Sequence, residues 1–217
     1  MLFNQQKEGD DKSSIFLVLK RIADIVCSMV GLIIILPLFI GISGLYLFGK
    51  NKGPIFFKQQ RVGKNGQLFY IYKFRSMVVN AEKVLRDNPS LYKKYIKNNY
   101  KLEPFEDPRI TKMGNFLRKT SLDELPQLIN VLRGDMSLVG PRPVVQDELK
   151  EYQDKLTTFL SVKPGITGYW QVSGRSNIGY PERVDLELYY AYHQSVYLDI
   201  KIILLTIYQV LMRKGAY

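Results

Sequence analysis

"IADIVCSMVGLIIILPLFIGISGLYLFGK", residues 22–50, decides the architecture. No residue from Ile25 to Phe48 is charged, and that length is enough for one helix to cross a bilayer core. A cleaved leader is not expected, because about twenty polar or mixed residues precede the run and the run itself is too long. Lys20 and Arg21 stand before it, Lys50 and Lys52 after it. Basic flanks prefer the cytoplasm, and both remain there if the segment enters the membrane and returns. Pro37 lies between Gly31 and Gly41. Proline removes one helical hydrogen bond and clashes with the preceding turn, so a break there yields two short helices in one leaflet. A kinked helix that spans the bilayer is the alternative reading of the same residues.

The chain of 217 residues carries 31 Lys plus Arg against 20 Asp plus Glu, a net charge of +11. The length suits one domain with room for a membrane element. The positive excess favours an anionic partner such as a phosphate, a nucleic acid or an acidic membrane surface. Cys27 is the only cysteine, which excludes an internal disulfide, and it sits within the apolar run. His193 is the only histidine. A zinc site rich in His and Cys is therefore excluded, as is Ser-His-Asp chemistry that does not use His193. Carboxylates with a hard cation remain the economical route to catalysis.

Beyond the membrane segment, Pro54–Gln60 and Gln67–Phe74 are rich in Phe, Tyr and Ile, and Asn65-Gly66 between them predicts a β-hairpin. Residues 80–104 are polar with spaced Leu and Tyr, which predicts a helix and a mobile loop. Residues 144–160 read as an amphipathic helix, and 162–177 as a Gly-rich loop region. Residues 180–212 read as helical, in two pieces. The last of these has a polar side at Asp199, Lys201, Thr206 and Gln209 amid Ile and Leu, as in a core helix or one lying in a membrane interface.

Within this basic chain, "TSLDELPQ" (120–127) places Asp123 beside Glu124, five residues after Arg118. Ser121 and Glu124 have capping-box spacing, predicting a helix towards Leu132 that ends near Gly134; Pro126 allows a later start, near Leu125. The plain reading makes Glu124 a cap and Asp123 a first-turn acid. Either start leaves both acids near a helix N-terminus, whose partial positive charge favours an ionised carboxylate and can receive phosphate. Lys73, Arg75, Arg118, Arg142 and Arg175 lie in segments otherwise written in aromatic, Gly and Pro residues. Any one arginine is more often simply solvated, but Gly140-Pro141-Arg142-Pro143 fixes the backbone around its guanidinium, and a rigid Arg suits a phosphate or a planar base. Carboxylates, arginines and Mg²⁺, which commonly takes one or two carboxylates plus substrate phosphates, describe a site for a nucleotide diphosphate.

Together, "KRIADI" (20–25), "GPIFFKQQRVGKNGQLFYIYKFRSM" (53–77), "DPRITKMGNFLRKTSLDELPQLINVLRGDMSLVGPRP" (107–143), "VKPGITGYWQVSGR" (162–175) and "LDIKIILLT" (198–206) resemble the bacterial sugar transferase family, the monotopic polyprenyl-phosphate phosphoglycosyl transferases, over most of the chain from Lys20 onwards. With about twenty residues before the membrane segment, the chain resembles the small form of the family, although its "RKGAY" ending is similar to that of larger members. The resemblance implies transfer of a sugar-1-phosphate from a UDP-sugar to undecaprenyl phosphate with release of UMP. That is the initiating membrane step of exopolysaccharide, capsule, O-antigen or other glycoconjugate synthesis. It implies Asp123 as nucleophile and metal ligand, Glu124 as its catalytic partner, Mg²⁺ as cofactor, and an aspartyl-phosphosugar intermediate. Lys73, Arg75, Arg118, Pro141, Arg142, Pro143 and Arg175 are the implied substrate-binding residues.

The implied fold is α+β and mainly helical. An N-terminal tail (1–20) leads to a re-entrant membrane helix broken at Pro37 (21–49). A catalytic domain (50–217) follows, with the small hairpin and amphipathic interface helices, on the cytoplasmic face of the bacterial inner membrane. Many members carry Ser-Pro at the break, where this chain has Leu36-Pro37. The implied partners are the UDP-sugar, undecaprenyl phosphate and membrane lipid, without nucleic acid. Two other classes fit the composition: a membrane-tethered basic module holding nucleic acid or anionic lipid, and a UDP-sugar hydrolase. A pure binding module leaves Asp123 and Glu124 without a role, since carboxylates repel phosphates when no metal intervenes.

Overall fold

A computed structural model of the chain describes residues 2–97, 102, 105–174 and 178–212, apart from the side chains of residues 2–13 and of Lys50. Helix α1 runs from Leu2 to Leu45 with Pro37 inside it. Two expectations change here. Residues 2–20 are helical rather than a separate tail, and Pro37 does not interrupt the helix. The reason is local: Pro37 forfeits one hydrogen bond, to the carbonyl four residues back, while the bonds on either side persist. The apolar part, Ser14–Leu45, covers 32 residues, about 48 Å of helix against about 30 Å of hydrocarbon.

The remaining elements are strands β1 (Phe56–Val62) and β2 (Leu68–Phe74), then helices α2 (Ala81–Arg86), α3 (Pro89–Lys97), α4 (Lys112–Lys119) and α5 (Gln127–Arg133). Strand β3 (Ser137–Val139), helix α6 (Leu156–Leu160), strand β4 (Gly165–Thr167) and helices α7 (Tyr169–Ser173), α8 (Glu182–Tyr192) and α9 (Val196–Leu211) complete them. The architecture is α+β and mainly helical, as expected. Strands β1 and β2 form the hairpin. Its loop places Asn65 at φ 57° and Gly66 at φ 77°, the left-handed positions that Asn-Gly accepts. The expected loop before residue 105 falls mostly outside the described residues.

The chain packs as two compact units. The first holds Met1–Ile34, Gln59–Ile71 and Gln127–Gly215; the second holds Ile35–Lys58 and Tyr72–Pro126. This division does not coincide with borders at residues 20 and 49, because α1 and the hairpin each contribute to both units.

In the first unit, β3 pairs in parallel with β4, Ser137 opposite Gly165 and Val139 opposite Thr167. A parallel pair requires a long crossover. Residues 146–160 supply part of it, and not as the single amphipathic helix expected. A 3₁₀ stretch, Gln146–Lys155, is interrupted at Gln153 (φ 44°, ψ −124°) before α6. Glu148 meets Arg183 at 3.3 Å and Arg61 at 3.5 Å, so the segment follows its ion pairs rather than a helical repeat. Backbones approach closely beside the pair: a β-carbon on Gly165 would stand 2.1 Å from the Gly140 nitrogen.

Two helices of this unit are inverted relative to helices in water. On α1, Asp24 and Ser28 are buried while Ile22, Val26, Met29 and Ile33 are exposed. Asp24 accepts hydrogen bonds from the Leu138 N–H (2.9 Å) and the Ser137 hydroxyl (3.1 Å). On α9, Asp199 pairs with Lys20 at 2.6 Å. Thr206 meets the Thr167 hydroxyl at 2.6 Å, and Gln209 donates to the Val172 carbonyl at 2.9 Å. Asp199, Thr206 and the Gln209 amide nitrogen thus turn to protein, while Lys201, Ile200, Leu204, Ile207 and Leu211 face outward. Apolar faces turned outward on long helices suit a lipid environment.

The second unit packs Ile42, Tyr46, Phe74 and Leu117 with Phe39 and Phe56. The Phe39 and Phe74 rings lie 4.7 Å apart, those of Phe56 and Phe74 5.6 Å. This core anchors the end of β2 and the last turn of α4.

Candidate active site

The second unit brings four charged side chains together. Lys73 is the penultimate residue of β2, Arg118 lies in the last turn of α4, and Asp123 and Glu124 sit in a 3₁₀ turn, Leu122–Glu124. The expected capping box is absent. Ser121 adopts φ 56° with no side-chain cap bond, whereas a capping serine needs an extended backbone. The helix begins instead at Gln127, directly after Pro126, and stops before Gly134, as proline and glycine dictate. Released from capping, the Glu124 carboxylate meets the Lys73 ammonium at 2.6 Å.

Asp123 is only 9% exposed. Burial pushes its carboxyl up to about 6, and the neighbouring Glu124 adds to the rise; Lys73 and Arg118 oppose it. Burial likewise pulls the Arg118 guanidinium down, against the attraction of Asp123 and Asp107. A buried acid so perturbed, set beside specific cations, makes Asp123 a candidate functional carboxylate. It is more basic than an ordinary aspartate yet still mostly ionised at neutral pH.

Arg118 is held by a contact the sequence does not advertise. Its Nε donates to the Ser76 hydroxyl at 2.8 Å. Helix α4 is capped by Thr111, whose hydroxyl accepts from the Gly114 N–H at 2.9 Å. Its Gly114 lies so close to Ser76 that a β-carbon would stand 1.8 Å from the Ser76 carbonyl oxygen. Asp107 and Arg109 form a two-bonded pair, 2.8 Å at both contacts, with the Arg109 guanidinium 5.0 Å from the Tyr95 ring centre. Their i, i+2 spacing was the available signal.

Arg75 is buried, and its guanidinium donates to the carbonyls of Asn51, Pro54 (2.7 Å) and Met77 (2.9 Å). It also lies 5.1 Å from the Tyr46 ring centre. Arg75 therefore ties the loop after α1 to the end of the hairpin through three of its five N–H donors.

Pro141, Arg142 and Pro143 belong to the first unit, where both prolines are buried. The Pro143 carbonyl accepts from Arg61 at 3.2 Å, and the Arg142 N–H donates to the Glu187 carboxylate. The Arg142 guanidinium lies 5.9 Å from the Trp170 ring centre. Glu187, which sequence reading passed over, also accepts from the Tyr152 hydroxyl and from Arg183, itself 4.5 Å from Trp170. Arg175 lies outside the described residues.

No group of three or more His, Cys, Asp or Glu gathers among the described residues. Two adjacent carboxylates, one paired with Lys73, fit a hard cation whose other ligands come from substrate phosphates and water.

Residues 15–213 match the model of a family described as "Bacterial sugar transferase". Among curated proteins, the chain is 48% identical over 220 residues to "Undecaprenyl-phosphate galactose phosphotransferase" of Salmonella typhimurium, covering 100% of this chain and 45% of that protein. It is 43% identical over 202 residues to "Exopolysaccharide production protein ExoY" of Sinorhizobium fredii, covering 91% of this chain and 88% of that protein. It is 38% identical to "UDP-glucose:undecaprenyl-phosphate glucose-1-phosphate transferase" of Xanthomonas campestris pv. campestris, covering 100% of this chain and 43% of that protein. The chain thus spans less than half the length of the first and third.

Proposed function

The chain belongs to the bacterial sugar transferase family, and from that premise we propose that it transfers a sugar-1-phosphate from a UDP-sugar to undecaprenyl phosphate, with Asp123 as the nucleophile. The observation that carries this reading is the buried Asp123 carboxylate, raised towards neutrality beside the Lys73–Glu124 pair and Arg118. In the first step an Asp123 oxygen bonds to the sugar-side phosphorus, the bond from that phosphorus to the bridging oxygen breaks, and UMP leaves. In the second an oxygen of the lipid phosphate bonds to the same phosphorus, and the Asp123 carboxylate departs with its electron pair. A covalent carboxylate divides one difficult displacement into two.

Lys73 and Arg118 supply positive charge for the diphosphate. Arg118 is pre-aimed by Ser76, so little ordering remains at the moment of reaction. Asp123, with Glu124 beside it, would hold Mg²⁺, which when bound neutralises charge on the phosphoryl oxygens. Pro141, Arg142 and Pro143 are assigned to the nucleotide, supported by the family motif and the fixed backbone around Arg142.

The protein is membrane-associated: α1 is long and apolar enough to enter a bilayer, and α9 presents a second apolar face. We place both ends of the apolar segment, and the site, on the cytoplasmic face, because Lys20, Arg21, Lys50 and Lys52 make both flanks basic; this placement requires α1 to bend at Pro37, where one helical hydrogen bond is missing. Single cysteines in place of Gln6 and Asn51, with Cys27 replaced by Ser, should label from the cytoplasmic side only; labelling from opposite sides would mean a span.

The reaction is tested by incubating the purified protein with UDP-galactose or UDP-glucose, the sugars in the relatives' names, without lipid acceptor. Intact-protein mass should rise by one sugar phosphate on Asp123, with one equivalent of UMP released. Chelation of Mg²⁺ should abolish both, and undecaprenyl phosphate should discharge the adduct. An active preparation with no adduct and a ternary-complex rate law would remove Asp123 as nucleophile. Continued UMP release without acceptor would make water the acceptor.

A further inference from the structure

A cluster of cations in the first unit has no part in the chemistry at Asp123. Helix α5 stops before Gly134, whose φ of +91° suits glycine. A β-carbon there would stand 3.4 Å from Arg21 Nη2 and 3.5 Å from Lys163 Nζ. Two cations thus border one small space that the missing side chain leaves open. The Arg21 guanidinium is fixed: Nη1 donates to the Val131 carbonyl at 2.6 Å and Nη2 to that of Leu132 at 2.8 Å. Those bonds cap the end of α5 and leave other N–H donors of its fork unused.

Lys163 differs. It is half-buried, yet no hydrogen bond or ion pair reaches its ammonium among the described residues. Burial above all, and then Arg21, pull its proton affinity down, with a smaller contribution from Lys64 of the hairpin loop; Asp24 and Asp135 oppose them without reversing the direction. Both acids are already engaged, Asp24 with Ser137 and Leu138, Asp135 with the Asn130 amide at 3.2 Å. A partly desolvated ammonium beside like charges costs stability unless an anion joins it. C-cap bonds explain Arg21; they do not explain Lys163.

We propose that Lys163 and Arg21, which border the space beside Gly134, form a site for the phosphate of an anionic lipid headgroup. The position selects the lipid over a free phosphate. Arg21 lies three residues before Asp24, after which the uncharged run begins at Ile25, and its neighbours Val18 and Ile22 on α1 are 59% and 53% exposed. A basic residue set among outward-facing apolar side chains is placed to attract an anionic lipid headgroup. A headgroup seated there would fix the depth of α1.

The test uses the full chain in a neutral, phosphate-free detergent, titrated with short-chain phosphatidylglycerol, the matching diacylglycerol, or inorganic phosphate. Wild type should bind phosphatidylglycerol at least tenfold tighter than Lys163→Gln, and Lys163→Arg should keep most of that affinity. Diacylglycerol should not distinguish the variants. Without lipid, Lys163→Gln should unfold at the same temperature as wild type or higher, since it removes an unpaired cation; only wild type should gain stability on adding phosphatidylglycerol. Equal phosphatidylglycerol affinity in wild type and Lys163→Gln overturns the site. Displacement of the lipid by equimolar inorganic phosphate overturns the lipid as its source. None of these readings requires turnover, so failure of the proposed reaction leaves them intact.

Discussion

Asp123→Asn should lose several powers of ten in turnover, on the order of 5 kcal/mol in barrier, while gaining stability at neutral pH. The amide is nearly isosteric but cannot form an acyl phosphate. The stability gain follows from the buried carboxyl, pushed up to about 6 in the fold. A group whose folded value lies above its unfolded one contributes stability that is fully present below the unfolded value, near 4, and is lost as pH rises through about 6. At pH 7.5 the wild-type fold therefore carries an ionised, desolvated Asp123 at a cost of about 3 kcal/mol; asparagine carries none. Unfolding of both proteins in chelator should show the variant ahead by about that amount at pH 7.5 and the gap nearly closed at pH 4. If the variant kept more than a tenth of wild-type turnover, Asp123 would not be the nucleophile. If the two proteins unfolded alike at both pH values, Asp123 would not be buried as described. Stability given up at a catalytic group is a common exchange in enzymes.

Features governed by strong local rules were legible in the sequence. The uncharged run gave α1, Asn65-Gly66 gave the hairpin loop, and residues 180–212, read as helical in two pieces, are α8 and α9. The Asp123–Glu124 pair and the cations Lys73 and Arg118 were also readable, because adjacent acids in a basic chain demand an explanation. What failed depended on partners distant in sequence. Ser121 and Glu124 have the spacing of a cap, but Lys73, 51 residues away, takes the Glu124 carboxylate. The 144–160 helix is plausible until Glu148 is drawn to Arg61 and Arg183. Pro37 is a helix breaker by propensity, yet one missing hydrogen bond does not end a helix of 44 residues. Helix α9 reads as a core helix or one lying in a membrane interface, and the pattern alone does not say which of its sides meets protein; Asp199, Thr206 and Gln209 do, through Lys20, Tyr190, Thr167 and Val172.

Gly114→Ala should separate local propensity from packing by the sign of its effect. In a helix interior, alanine normally stabilises by about 1 kcal/mol relative to glycine. Here the added carbon would lie 1.8 Å from the Ser76 oxygen, 2.5 Å from its carbonyl carbon and 2.7 Å from its Cα. These are backbone atoms that no rotamer change can move aside, so α4 must shift off Ser76. The same helix carries Leu117, buried in the core with Phe74, and Arg118, bonded to the Ser76 hydroxyl. Overpacking of this kind costs about 3 kcal/mol, and the shift should also withdraw Arg118 from Asp123. We expect a loss of stability, and at least a tenfold loss of turnover in the fraction that remains folded. Lys112→Ala, an exposed change at the start of the same helix, should do neither. Ser76→Ala should reduce turnover with a smaller effect on stability, because it frees Arg118 without moving α4. If Gly114→Ala instead raised stability, as propensity alone dictates, α4 would not be seated on Ser76, and Arg118 would lose the physical basis for its aim at the nucleophile.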